Sequence, residues 1–316
     1  MKSAKEKISV IIPCYNEEKN VTLLYDEFVK CFNKSKYKLE LIYINDGSKD
    51  NTLNELKSLL LRKEFDVDII NFSRNFGKEA AMYAGMERST GDYVLIIDAD
   101  LQQKPELVLK MLDILENNDD YDSVCYCQEK RIEGKFVSFL KRKFYRFITS
   151  ISDVEFVDGA SDFRLFRRYV VDAILSLKEK NRFSKGIFSW VGFNTCYLPY
   201  TPENRKYGKS SFNLKNLFTY ALSGIISFSV APLRIATYGG MFFSLLCLIY
   251  LVVVVIQKIF FTIDIPGYPT LIVTLLLIGS LILFCLGIIG EYIARIYMET
   301  KKRPIYVEKK HFSNKK

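Results

Sequence analysis

The 316-residue chain has one histidine, one tryptophan and no cysteines in CxxC spacing. The single imidazole, His311, lies in a basic stretch near the end, so a Ser-His-Asp triad in the body of the chain and a two-histidine HExxH zinc site are excluded. The seven cysteines (Cys14, Cys31, Cys125, Cys127, Cys196, Cys247 and Cys285) give an odd count with no zinc spacing. They read as reduced, buried thiols of a cytosol-facing protein. No GxGxxG follows the first apolar run, which argues against a dinucleotide-binding dehydrogenase. Gly208-Lys209-Ser210 resembles the end of a P-loop, but the glycine needed five residues earlier is Glu203, so this is a basic loop. The apolar run ending at Pro13 is too short for a signal-peptide core.

What is present divides the chain in two. The composition is 49% hydrophobic and 26% charged with a mean hydropathy of +0.05, an average that hides a polar part and a very apolar part. Ile235–Gln257 and Ile265–Gly290 are uncharged runs of 23 and 26 residues, each long enough to span a bilayer as a helix. We expect a hairpin of two transmembrane helices over 234–293, at about 235–257 and 268–290. Lys and Arg crowd both flanks of the hairpin, while the loop between carries only Lys258, so both ends are expected in the cytoplasm. Residues 211–233 are expected as interfacial helices and 294–316 as a basic cytoplasmic tail. The formal charge of +9 points to nucleic acid, a phosphate-bearing substrate or an anionic membrane. Residues 295–316 supply +6 of it, and the rest has no basic stripe interleaved with aromatics, so a membrane-facing anchor is favoured over nucleic acid.

Residues 1–210 alternate short apolar runs (Ile8–Pro13, Leu39–Ile44, Val67–Phe72, Tyr93–Ile97) with helical stretches (Glu18–Cys31, Thr52–Leu61, Lys78–Glu87). That alternation predicts an α/β fold with a mainly parallel sheet. Ligands of such sheets bind beyond the carboxyl ends of the strands. Those ends carry Pro13-Cys14-Tyr15-Asn16-Glu17, Asn45-Asp46-Gly47-Ser48, Ser73-Arg74-Asn75-Phe76-Gly77-Lys78 and Asp98-Ala99-Asp100-Leu101-Gln102. Each alone suits a turn; four on one edge suit a polar ligand. Asp98 and Asp100 repel each other unless a cation intervenes, and with Gln102 they form a hard-oxygen set for Mg²⁺ or Mn²⁺.

Together ISVIIPCYNEE (8–18), INDGSKD (44–50), SRNFGKEAAMYAG (73–85) and DADLQ (98–102) resemble the family 2 glycosyltransferases of GT-A fold. DFRLF (162–166), the loop 205–210 and the two-helix anchor narrow the resemblance to the polyprenyl-phosphate glycosyltransferases. The resemblance implies a GT-A domain followed by a membrane anchor, and a homotetramer. It implies nucleotide-sugar contacts from Pro13, Tyr15, Glu17, Asp46, Lys78, Asp98 and Arg131, with metal contacts from Asp98, Asp100 and Gln102. Many relatives have two acids where this chain has Asn45-Asp46, which makes base preference less readable. Arg131 is equally well read as a solvated loop charge. Asp162 and Arg164 match the acceptor-side catalytic motif, and Arg164, Arg205 and Lys209 are candidates to grip the acceptor phosphate.

The implied reaction is transfer of one sugar from a nucleotide diphosphate to undecaprenyl phosphate with inversion, in the cytoplasmic leaflet. UDP-glucose is the first candidate donor, with UDP-N-acetylglucosamine and GDP-mannose as alternatives. Asp162 is the family's usual candidate for general base. A lipid phosphate with a second pKa of about 6 is already nucleophilic near neutrality, so Asp162 can instead position Arg164 or the phosphate. A processive polysaccharide synthase would carry QxxRW, which is missing; an inactive scaffold would not need intact DADLQ and DFRLF.

Overall fold

The computed structural model describes residues 6–128, 157, 159–201, 231–260 and 267–315. Arg131, Arg205, Lys209 and all of the 211–233 stretch except 231–233 lie outside the described residues. The first half alternates as expected: β1 (Lys7–Cys14), α1 (Val21–Phe32), β2 (Lys38–Asn45), α2 (Thr52–Leu59), β3 (Asp66–Phe72), α3 (Lys78–Arg88), β4 (Tyr93–Ile96) and α4 (Glu106–Asn117). Then come β5 (Ser123–Gln128), β6 (Ala160–Arg167), α5 (Arg168–Ser176), α6 (Ser184–Trp190) and β7 (Thr195–Tyr200). Two long helices, α7 (Ala231–Phe260) and α8 (Tyr268–Thr300), precede β8 (Glu308–Ser313).

All strands join one sheet in the order β7-β5-β6-β4-β1-β2-β3-β8. β1, β2, β3 and β4 pair in parallel, β6 runs antiparallel to β4 and β5, and β8 runs antiparallel to β3. Ile8, Val10 and Ile12 of β1 face a core shared with α1 and α4; Ile11, Ile42 and Ile70 face one shared with α3 and α5. Burial on both faces explains why these strands read as continuous apolar runs rather than alternating ones. Gly85 lets α3 lie close on the sheet, because a Cβ there would stand 2.3 Å from Ile11 Cγ2.

The two long helices contact each other, with Cys285 Sγ 3.9 Å from the Ala236 carbonyl oxygen. Pro232–Tyr250 and Val273–Thr300 are apolar and long enough to cross a membrane, and almost none of either is buried in protein. They are therefore not core helices of a soluble fold. Both helices outrun the expected spans, α7 by starting at Ala231 and α8 by continuing to Thr300.

Residues 294–316 depart from the separate basic tail expected. Past the end of α8 the chain returns to the catalytic sheet and adds β8 to the edge of β3. The attraction is electrostatic as well as apolar. Buried Glu40 and Asp68 receive Lys315, and His311 also bonds Asp68. Tyr306 stacks on Phe72 at 4.8 Å, and Phe312 packs against the core. Because β8 shares a sheet with β1–β3, the chain between β7 and β8 must cross any membrane an even number of times.

Burial alone would raise the Asp68 pKa, but the bonds and charges of His311 and Lys315 hold it below the ordinary carboxylate range. A depressed acid stabilises the fold above its unfolded pKa and loses that contribution as pH falls through its folded value. Asp68→Ala should therefore destabilise the catalytic domain by about 1–3 kcal/mol, less than a fully buried pair because its partners are partly wet. Hydrogen exchange should rise first at the amides of 308–313. Unchanged protection there would show that the ionic cluster does not hold β8.

Candidate active site

The four expected loops meet at the carboxyl edge of β1–β4. After β1, Asn16 takes a positive φ of 58° and is clamped to the next loop: its N–H donates to Ser48 Oγ at 3.0 Å, and its Oδ1 accepts from Lys49 N at 2.9 Å. Tyr15 stands exposed beside it. Glu17 is half-buried and accepts from Asn20 Nδ2 at 2.6 Å, which gives it a local structural role.

Asp46 is buried, with Oδ1 accepting from Phe76 N at 2.6 Å and Oδ2 from Gly77 N at 2.9 Å. It fastens the loop 73–77 to the end of β2. Burial raises its pKa, partly offset by these two bonds. Gly47, at φ 64°, has no room for a side chain, since a Cβ would lie 2.4 Å from the Arg74 carbonyl carbon. Any nucleotide contact of Asp46 has to use lone pairs left free by the loop.

At the centre stands Lys78, the first residue of α3. Its ammonium lies 2.6 Å from Asp98 Oδ1 and 2.8 Å from Asp162 Oδ2. Burial would lower its pKa, but the two carboxylates raise it well above the ordinary value. Asp162 is likewise pulled below the usual carboxylate range: burial acts upward and is outweighed by Lys78, Lys185 and Arg164. The resemblance implies a nucleotide-side role for Lys78 and an acceptor-side role for Asp162; the Lys78 ammonium bridges Asp98 and Asp162.

β4 ends at Ile96, so Asp98-Ala99-Asp100 lies beyond the strand, where the chain turns. Leu101 has φ 61°. The Asp98 N–H donates to Gln103 Oε1 at 3.0 Å, and the Gln102 N–H donates to Asp100 Oδ1 at 3.2 Å. Among the described residues no three Asp, Glu, His or Cys gather as a metal cluster. The acids at hand for an ion are Asp98 and Asp100, with the Gln102 amide oxygen. That all-oxygen set fits Mg²⁺ or Mn²⁺ completed by diphosphate oxygens or water.

Arg164 is only 4% exposed. Its guanidinium lies 5.0 Å from the Phe188 ring centre and 6.0 Å from that of Tyr197, and its Nε has no partner among the described residues. Cys125 is its register partner on β5; a bond from Cys127 and the Arg164 charge draw the Cys125 thiol pKa down. Glu79 escaped the sequence reading. Its carboxylate receives the N–H of Ser184 at 3.0 Å and also the Ser184 hydroxyl, tying α3 to the start of α6. The only signal was its position beside Lys78, since its partner lies 105 residues away.

A mainly parallel sheet, four polar strand ends and a cation-bridged acid pair suit an α/β transferase that takes a nucleotide sugar. Residues 9–175 match the model of glycosyl transferase family 2, and residues 231–296 match that of the GtrB C-terminal hairpin. The chain belongs to glycosyl transferase family 2 and is a glycosyltransferase with a GT-A-like core. It is 43% identical over 302 residues to the putative glycosyltransferase CsbB of Bacillus subtilis, covering 96% of this chain and 91% of that one. It is 39% identical over 308 residues to the bactoprenol glucosyl transferase of Shigella phage SfX, covering 96% and 99%. Among solved structures it is similar to mannosyl-3-phosphoglycerate synthase from Rubrobacter xylanophilus, with a TM-score of 0.48 and 17% identity over 74% of this chain and 75% of that one.

Burial raises the Glu79 pKa from 4.5 to about 7, and the Asp162 charge adds to this against the Ser184 bonds. A group with a raised folded pKa stabilises the fold below its unfolded pKa and loses that contribution as pH rises through its folded value. Unfolding midpoints should therefore fall as pH rises from 4.5 to about 7. Glu79→Gln should flatten that slope. A slope unchanged in the variant would assign it to other groups.

Proposed function

We propose that the chain transfers one sugar from a nucleotide diphosphate, UDP-glucose first among candidates, to undecaprenyl phosphate, with inversion, at the cytoplasmic membrane surface. The observation that carries this reading is the Lys78 bridge, which holds the donor-side acid Asp98 and the acceptor-side acid Asp162 at one cation. A donor and acceptor bound on either side of that point stand close enough for direct displacement. The even number of crossings and the basic flanks support placing both ends and the catalytic domain in the cytoplasm. The bactoprenol named for the phage relative supports a polyprenyl phosphate as acceptor.

In this mechanism Pro13, Tyr15, Glu17 and Asp46 shape the nucleotide cleft, with Arg131 reaching the donor phosphates. Asp98, Asp100 and Gln102 would hold a divalent ion, which neutralises the departing diphosphate. Lys78 adds a second positive charge between donor and acceptor. A phosphate oxygen of the lipid attacks the anomeric carbon, the bond from that carbon to the diphosphate oxygen breaks, and the nucleoside diphosphate leaves with the electron pair. The dianionic acceptor needs no base, so Asp162 acts by orienting Lys78 and Arg164. Arg164, Arg205 and Lys209 hold the acceptor phosphate.

Membranes bearing the protein, supplied with Mg²⁺, undecaprenyl phosphate and each labelled nucleotide sugar in turn, should yield an acid-labile lipid-linked monosaccharide. No product with any donor, alongside an active control enzyme, would sink the reading. Asp100→Asn should reduce turnover by about 10²-fold or more, as expected when a charged transition-state contact is lost. Asp162→Asn should cost less than about tenfold if the residue positions, and far more if it removes a proton.

A further inference from the structure

Lys185 is the second residue of α6, and three connections converge on it. Behind it, Ser184 is bound through both its backbone N–H and its hydroxyl to Glu79, the neighbour of Lys78. One turn further on, Phe188 lies beneath the Arg164 guanidinium at 5.0 Å. Residues three apart share a helix face, so Lys185 and Arg164 come to the same corner. Before it, the loop at Lys180 and Asn181 is fixed to the last turn of α8: both backbone N–H groups donate to Glu299 Oε1, at 2.8 and 3.2 Å. Lys180 Nζ also donates to the carbonyls of Met298 and Glu299. The segment carrying Lys185 thus hangs between the end of a membrane-length helix and the acid pair.

The charges at this corner are unbalanced. Lys78 is taken by two carboxylates, and Asp162 also feels the charges of Lys185 and Arg164. Among the described residues the Lys185 ammonium has no carboxylate of its own, and Arg164 keeps a buried Nε without a partner. A guanidinium and an ammonium beside one carboxylate leave positive charge suited to a phosphate monoester dianion.

We propose that Lys185 and Arg164 together seat the phosphate of the lipid acceptor, and that Glu79 is the positioning residue that holds Lys185 in place through Ser184. This rests on the transfer reading above and adds to it a cation that the sequence reading passed over. A phosphate presented at the membrane surface would meet this corner next to the end of α8.

The test uses the full-length protein in nanodiscs with geranyl phosphate as a short-chain acceptor. Lys185→Ala should raise the acceptor KM about tenfold or more while the nucleotide-sugar KM stays within about twofold. Lys185→Arg should restore most of the loss, and Glu79→Ala should raise the acceptor KM while Glu79→Gln does so less. An unchanged acceptor KM in Lys185→Ala, or equal rises in both KM values, would overturn the proposal. Calorimetric binding of geranyl phosphate without donor separates the two ideas. Binding lost in Lys185→Ala, with no sugar transferred even by the wild-type chain, would keep the seat and sink the transfer reading. Normal acceptor binding and transfer in Lys185→Ala would do the reverse.

Discussion

The ammonium of Lys78 is the point on which the site depends. Asp98 follows β4 and Asp162 lies on β6, its antiparallel neighbour, and the register that pairs Ile96 with Arg164, continued by two residues, sets the two acids opposite each other. Two carboxylates brought together in a partly buried place repel and would shift each other's protonation upward. With Lys78 between them, at 2.6 and 2.8 Å, both can remain ionised. The lysine can do this because α3 begins at that residue, and the preceding Gly77, at φ 97°, turns the chain into the helix. Asp46 holds the backbone of Phe76 and Gly77. The loop 73–77, the helix start and the acid pair are therefore one mechanical unit, and a disturbance at Asp46 has a path to Asp162.

A second unit fastens the hairpin to the sheet. Glu299 at the end of α8 grips the 180–181 loop, Tyr306 stacks on Phe72, Ser73 N donates to Val307 O, and β8 completes the sheet. Phe72 in turn meets Phe76 edge-on at 5.7 Å, within the loop that Asp46 holds. The end of α8 and the segment after it thus reach both sides of the site, the Arg164 corner through 180–184 and the loop 73–77 through Tyr306 and Phe72. A rigid link of this kind suits an enzyme whose one substrate is soluble and whose other is confined to a bilayer plane.

Local chemistry decided how much of this was legible in the sequence. β1 to β4 and the helices between them announced themselves because both faces of the sheet are buried, which leaves apolar runs between polar turns. The long helices were legible from length and lack of charge. The flank of β5, β6 and β7, where β6 runs against both neighbours and β7 parallel to β5, was not, since its strands are paired by residues far apart and carry polar groups such as Ser123, Arg164 and Thr195. β8 was least legible of all. Glu308–Ser313 reads as a basic tail, and only the buried carboxylates of Glu40 and Asp68, about 250 residues upstream, turn Lys315 and His311 into structural partners. In the site, the residue types at the strand ends were readable. The pairing of Lys78 with Asp162, and of Glu79 with Ser184, was not, because they join segments 84 and 105 residues apart in the chain.

The place of β8 in the chain also orders its assembly. Until residues 308–313 arrive, β3 presents an open edge of unpaired N–H and C=O groups, a template for mispairing. Glu40 and Asp68 meanwhile keep Lys7 and Arg88 but lack Lys315 and His311, and a buried acid with fewer partners is costly. Neither defect can be repaired before both long helices have been made, because β8 follows them. The catalytic sheet therefore reaches its final stability only once the hairpin exists. Its last strand can return only if the hairpin has brought the chain back to the side it left, so a chain that crossed the membrane once would keep an open edge and two buried acids short of a partner. Completion of the sheet is in this way conditional on correct membrane topology, enforced by an edge strand and two buried carboxylates.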